Sequence, residues 1–140
     1  MKIVPINAAT LPIYRDELAR LLTDAVTHGA SVGYDTLIPH EDAESYFHSL
    51  RPALAKGELL LWIARDERGV VGTVQLELCK KPNGRNRAEV VKLLVHSRAR
   101  RNGVGQALMK TLEHVALQQQ RGLLYLDTQA GSAAEALYRS

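Results

Sequence analysis

The sequence predicts an α/β fold, a mixed and mostly antiparallel central sheet flanked by helices. Two apolar runs, "LLLWIARD" (59–66) and "GVVGTVQLELC" (69–79), flank a turn at Glu67–Arg68–Gly69 and read as a hairpin. Elsewhere apolar residues recur at helical spacing, as with Leu18, Leu21, Leu22, Ala25 and Val26. Strand-like and helix-like stretches interleave along the chain, which suits helices packed on the faces of a sheet. At 140 residues the chain fits one domain, 1–140, with a core of its own.

In chain order, "KIVPI" (2–6) is a short strand, with Pro5 favouring an edge position. A helix over 14–28 ends at Gly29, a natural C-terminal cap. A second helix runs from about Glu41 to Lys56, acidic where the helix dipole prefers it, and is closed by Gly57. The hairpin follows, then a loop "KKPNGRNR" and a third strand of this group, "AEVVKLLVH" (88–96). A helix over 103–120, a strand "LLYLDT" (123–128) and the start of a helix at Ser132 complete the order.

The composition, 46% hydrophobic and 24% charged, is that of a folded globular protein. A net charge of +3 favours anionic ligands mildly, and the basic residues gather near two glycines rather than along a nucleic-acid face. No nucleic-acid partner is expected. One cysteine, Cys79, excludes an internal disulfide and reads as a buried structural residue. No signal sequence opens the chain, and no apolar run nears the roughly 20 residues that span a bilayer. A cytoplasmic protein without a membrane partner is expected.

The stretch "VHSRARRNGVGQALM" (95–109) carries the first chemical signal. Arg98, Arg100 and Arg101 stand beside Gly103 and Gly105 where a strand passes into a helix. Such a turn offers close backbone approach and free N–H donors at the positive end of a helix dipole. A phosphate group is the usual occupant, and a plain tight turn is the alternative. A dinucleotide fingerprint is excluded, because position 108 is leucine where a third glycine is needed. The Gly-Lys-Ser/Thr of a Walker loop occurs nowhere.

What remains, Arg100-x-x-Gly103-x-Gly105, resembles the pyrophosphate loop of the GNAT acyl-CoA N-acyltransferases. Longer segments, "KPNGRNRAEVVKLLVHSRARRNGVGQALM" and "RGLLYLDTQAGSAAEALY", look similar to the tabtoxin-resistance branch, which acetylates a β-lactam amino acid; "GASVGY" and "LLLW" add to the likeness. The resemblance implies acetyl-CoA as cosubstrate, no metal, and a small-molecule amine as acceptor. Backbone groups of Leu93, Leu94 and Val95 would meet the thioester and pantetheine arm. The pyrophosphate would lie on the N–H groups of Arg100, Arg101, Asn102, Gly103, Val104, Gly105 and Gln106. Glu89 matches a carboxylate that serves as base in several branches, Asp127 a second carboxylate, and Tyr138 the family's tyrosine. Gly131 stands where an asparagine is common, so that side-chain contact is missing. Ser31, Val32, Gly33 and Tyr34 would line the acceptor pocket.

The residues support the chemistry separately. Amine acylation needs a base for the ammonium proton, a donor to the oxyanion and an acid for the leaving thiolate. Glu89 is acidic in a strand of Val, Leu and Ala, and Asp127 follows apolar "LLYL". On a two-residue repeat Glu89 shares a face with Val91 and Leu93, and Asp127 one with Tyr125. Without the resemblance, both carboxylates read rather as solvated strand ends, and Tyr138 rather as packing on the sheet.

Gly29-Ala30-Ser31-Val32-Gly33 fits a nucleophile elbow, giving a serine hydrolase through Ser31 as an alternative, although the motif follows a helix rather than a strand. His40, Glu44 and His48 have the i, i+4 spacing of metal ligands, with an exposed acidic helix face as the other reading. His96 reads as an anion contact or a plain strand end. The resemblance also implies two further C-terminal strands, whereas the sequence stops at Ser140 soon after Tyr138. It is therefore expected to be C-terminally short, with a domain that binds acyl-CoA without turnover as a further alternative. The apolar edge at Leu123–Leu126 would then favour a homodimer.

Overall fold

The computed structural model describes residues 1–28, 38–78, 87–118 and 123–126. Its sheet has five strands in chain order: β1 (Lys2–Ile6), β2 (Leu59–Asp66), β3 (Gly69–Leu78), β4 (Arg87–Val95) and β5 (Leu123–Leu126). The first four pair antiparallel, and β5 lies parallel to β4. This is the mixed sheet that the alternation of patterns predicts.

Both faces are covered. On one, α1 (Leu11–Thr27), α2 (His40–His48) and α3 (Arg51–Ala55) bury Leu18, Leu22, Phe47 and Leu54 against Leu59, Leu61 and Ile63 of β2. On the other, α4 (Val104–Gln118) packs Val104, Leu108 and Leu112 on Trp62, Val74, Leu76 and Val90. The strict alternation Leu61, Trp62, Ile63 divides β2 between the two layers, as the pleat requires. No helix among the described residues is long and apolar enough to cross a membrane.

Two expectations about helices change. Helix α1 begins at Leu11, three residues earlier than its apolar spacing suggests, because Pro12 occupies the first turn, where no N–H is needed. Asn7 prepares that start by accepting the N–H groups of Ala9 and Thr10 on its Oδ1, each at 2.9 Å. The single helix expected over 41–56 is instead α2 and α3, broken at Ser49–Leu50. Pro52 has no N–H to give and crowds the preceding turn, so a new helix starts at Arg51. The predicted cap Gly29, Cys79 and the helix expected from Ser132 lie outside the described residues.

Candidate active site

Strand β4 changes its pairing midway. Toward β3 the register runs Glu77↔Glu89, Leu76↔Val90 and Gln75↔Val91, then shifts so that Thr73 faces Leu94 and Gly72 faces Val95. Lys92, at the shift, has φ 52°, a left-handed conformation that a non-glycine residue adopts at a cost of about 1–3 kcal/mol. Toward β5 the pairing spans only Arg87↔Leu123 to Val90↔Leu126. From Val91 to Val95, then, β4 has β3 on one side and no strand on the other among the described residues. Leu93, Leu94 and Val95 all lie on this stretch.

The bulge also corrects the face assignment. Val90 and Leu93 both pack in the α4 layer, three positions apart, whereas Leu94 packs in the α1–α3 layer. The extra residue at Lys92 flips the phase. Glu89 therefore shares its face with Val91 and Leu94, and Leu93 faces the opposite side.

Past β4, a 3₁₀ turn at Ser97–Ala99 leads to Arg100 and the start of α4. Arg101 has φ 67° and Gly103 φ 76°, and a Cβ placed at Gly103 would meet nothing within 4 Å. The turn is thus open for another molecule to approach its backbone. Ala107 donates its N–H to the Gly103 carbonyl at 3.0 Å. The N–H groups of Val104 and Gly105, on buried residues, have no acceptor among the described residues. A buried helix start with orphaned donors is what an anion site supplies. The donors, the open turn and the exposed Arg100 and Arg101 fit a pyrophosphate.

The same turn is held from three directions. From beneath, Gly72 of β3 admits α4 to close contact: a Cβ there would stand 2.7 Å from Val104 Cγ1 and 3.1 Å from the Leu94 carbonyl oxygen. From the hairpin, Asp66 accepts two hydrogen bonds from Arg98, at 2.9 and 3.3 Å. Those bonds hold the Asp66 carboxyl down to about 2 and raise Arg98. From α1, Asp24 accepts the Ser97 N–H at 2.8 Å and the Ser97 hydroxyl at 2.7 Å. Burial pushes the Asp24 carboxyl up, but Ser97, His96 and His28 together bring it below its ordinary value. His96 is engaged here, 3.6 Å from Asp24 through Nε2, with Nδ1 accepting the Arg98 N–H at 3.1 Å. Arg98 thus serves the frame, and Arg100 and Arg101 have no ion-pair partner among the described residues.

The face of β3 and β4 toward α2 is polar. Gln75, only 1% exposed, donates through Nε2 to the Tyr46 hydroxyl at 3.1 Å. The Lys92 ammonium stands 5.5 Å from the Tyr46 ring centroid. Beside them Glu77 and Glu89 face each other directly across the two strands. Glu77 was not singled out by sequence, although the alternation Gln75, Leu76, Glu77, Leu78 carried the signal.

Strand β5 stands beside β4 with Tyr125 opposite Glu89. Asp127, Tyr138, Gly131, and the pocket residues Ser31, Val32, Gly33 and Tyr34 lie outside the described residues. Of the histidine cluster, His40 meets Glu44 at 2.7 Å and Asp16 at 2.9 Å, with all three ligand atoms within 4.8 Å of one another. Arg15 and Arg20 already bind those two carboxylates, and His48 turns instead to Arg15 at 3.5 Å.

Comparison with known proteins agrees with this architecture. The Acetyltransferase (GNAT) family matches residues 18–140. The fold is similar to that of a ribosomal-protein-alanine N-acetyltransferase from Brucella melitensis, with 23% identity, a TM-score of 0.71, and 99% of this chain and 82% of that one covered. It is also similar to the aminoglycoside acetyltransferase meta-AAC0020 from an uncultured soil metagenomic sample, in complex with sisomicin (17% identity, TM-score 0.68, 99% and 84% covered). A third likeness is to a predicted acetyltransferase with acetyl-CoA from Clostridium acetobutylicum (15% identity, TM-score 0.67, 99% and 86% covered). With the family matched over most of its length, the chain belongs to the GNAT acetyltransferases and is an acyltransferase.

Proposed function

We propose that this enzyme transfers acetyl from acetyl-CoA directly to a primary amine on a small molecule. The observation that carries the reading is the open turn at Arg101–Gly103 with the orphaned N–H groups of Val104 and Gly105 behind it. These donors would hold the pyrophosphate together with Arg100, Arg101, Asn102 and Gln106. The β4 edge from Leu93 to Val95 would take the pantetheine arm and donate to the oxyanion as the C–N bond forms and the C–S bond breaks.

Glu89 is proposed as the base that removes the ammonium proton, with Asp127 as the second carboxylate and Tyr138 returning a proton to the leaving thiolate. The opposed Glu77 supports this, since two carboxylates on one face suit a cationic acceptor before it loses its proton. The acceptor class proposed is an amine-bearing amino acid, including β-lactam amino acids, with Ser31–Tyr34 lining its pocket. Similar folds act on different amines, as the sisomicin complex and the ribosomal-protein enzyme indicate, so the acceptor rests on the resemblance and the polar face together. A homodimer in the cytoplasm is the proposed state, paired through the Leu-Leu-Tyr-Leu strand β5, the last strand of the described sheet; light scattering reads it, and a monomer at high concentration would remove it.

Release of coenzyme A across a panel of amino acids, aminoglycosides and peptide N-termini tests the acceptor. Turnover is expected with small amino compounds and is expected to fall about 100- to 10,000-fold in Glu89→Gln, with acetyl-CoA binding retained. Activity confined to peptides would overturn the small-molecule reading. Undiminished turnover in Glu89→Gln would make Asp127 the base.

A further inference from the structure

We infer that Asp24 is a positioning residue for the cofactor turn: from the end of α1 its carboxylate fixes Ser97 and His96, and through them the backbone that receives the pyrophosphate. The inference rests on the reading of Arg100–Gln106 as that site.

Asp24 is in the wrong place for its own helix. It lies in the last turns of α1, which ends at Thr27, where the dipole favours a cation and where no basic residue stands in the final turn. Its side chain is only 12% exposed, so burial adds to the cost of the charge. Both costs are offset by the partners that surround it. Ser97 supplies two donors at 2.8 and 2.7 Å, His96 presents Nε2 at 3.6 Å and His28 presents Nδ1 at 3.3 Å. The His96 tautomer agrees, because Nδ1 accepts the Arg98 N–H and leaves the proton on Nε2, toward Asp24. Only His28 of these is local to α1; the donors at hydrogen-bond distance from the carboxylate, the Ser97 N–H and hydroxyl, come from a distant segment, and that is the segment Asp24 serves.

That segment leads straight into the cofactor turn. Ser97 opens the 3₁₀ turn whose last residue, Ala99, is buried, and Arg100 follows at once. Only the three-residue turn separates Ser97 from Arg100, and buried Ala99 anchors it, so the position of Ser97 bears directly on that of Arg100. Asp66 holds Arg98 from the hairpin side, and Asp24 holds the same connection from the α1 layer. The clamp also ties the cofactor turn to the end of α1, which in sequence shortly precedes the Ser31–Tyr34 stretch proposed for the acceptor.

The test uses Asp24→Asn and Ser97→Ala, singly and combined, with coenzyme A affinity measured by titration calorimetry and steady-state constants for both substrates. Each single variant is expected to raise the coenzyme A Kd and the acetyl-CoA KM about five- to twentyfold. The double variant should be no weaker than the worse single one, because both remove one interaction. Amine KM and kcat at saturating acetyl-CoA should stay within about twofold. Asp16→Asn, an exposed acid elsewhere on α1, should change nothing. Ser97→Ala removes one hydrogen bond and keeps the backbone contact, so it carries the test even where Asp24→Asn does not fold. Unchanged coenzyme A affinity in folded Ser97→Ala and Asp24→Asn, with Gly103→Val weakened, overturns the inference alone. Unchanged affinity in Gly103→Val as well would overturn the pyrophosphate reading and this inference with it.

Discussion

Arg98, Arg100 and Arg101 look interchangeable in sequence, and the fold gives them different work. Arg98 forms a two-bond pair with Asp66, while Arg100 and Arg101 stay exposed beside the turn. The Asp66 carboxyl, held near 2 against an ordinary 3.8, is charged throughout the physiological range. Because its folded value is the lower one, the link contributes stability above about pH 4 and loses it as pH falls toward 2. Asp66→Asn is therefore expected to narrow the difference between melting temperatures at pH 7 and pH 3, measured by circular dichroism. An unaltered difference would show that the pair contributes nothing. Asp24 behaves with the same sign, its depressed carboxyl stabilising above the ordinary carboxylate range and failing in acid.

Among the elements, β3 and β4 carry the most consequence for the site. Gly72 sits in the middle of an apolar strand because α4 needs the space: its missing Cβ would meet Val104 at 2.7 Å and the Leu94 carbonyl at 3.1 Å. Gly72→Ala is expected to destabilise by about 1–3 kcal/mol, the usual cost of overpacking, and to weaken coenzyme A by displacing the start of α4. Thermal melting and calorimetry check both, and an unchanged melting temperature would mean that α4 shifts freely.

The strands and helices were legible because two-residue and 3.6-residue periodicities report burial directly, and Leu61–Trp62–Ile63 or Leu18–Leu22 obey them. The Lys92 bulge was not legible, since "VVKLL" keeps its apolar character while the phase slips beneath it; Glu89 and Leu93 were accordingly placed on one face and lie on two. The break at Ser49 leaves no mark in the apolar spacing, which continues through Pro52. In the site, the glycine turn was legible from its own motif. Asp24 and Glu77 were not, because their meaning depends on partners more than ten positions away in the chain, Ser97 and Glu89.

For the whole molecule, one sheet joins two layers that do separate jobs. The α4 layer presents the orphaned N–H groups and the open turn, and the α1–α3 layer presents the polar face of Gln75, Tyr46, Lys92, Glu77 and Glu89. The two meet along β4, where Val91–Val95 has β3 on one side and no second strand among the described residues. A thioester lying along that edge, with its pyrophosphate on the α4 turn, would bring its acyl carbon beside Glu89's side of the sheet. The turn is the feature on which cofactor binding depends most. Gly103 has φ 76°, so a β-branched residue there is strained by about 1–2 kcal/mol and its side chain occupies the approach to the backbone. Calorimetric titration of coenzyme A and of pantetheine, which lacks the pyrophosphate, into the wild-type protein and folded Gly103→Val is the direct measurement. The account predicts at least about a tenfold loss for coenzyme A, about 1.4 kcal/mol, with pantetheine binding unchanged. Equal coenzyme A affinity in the two proteins would contradict it.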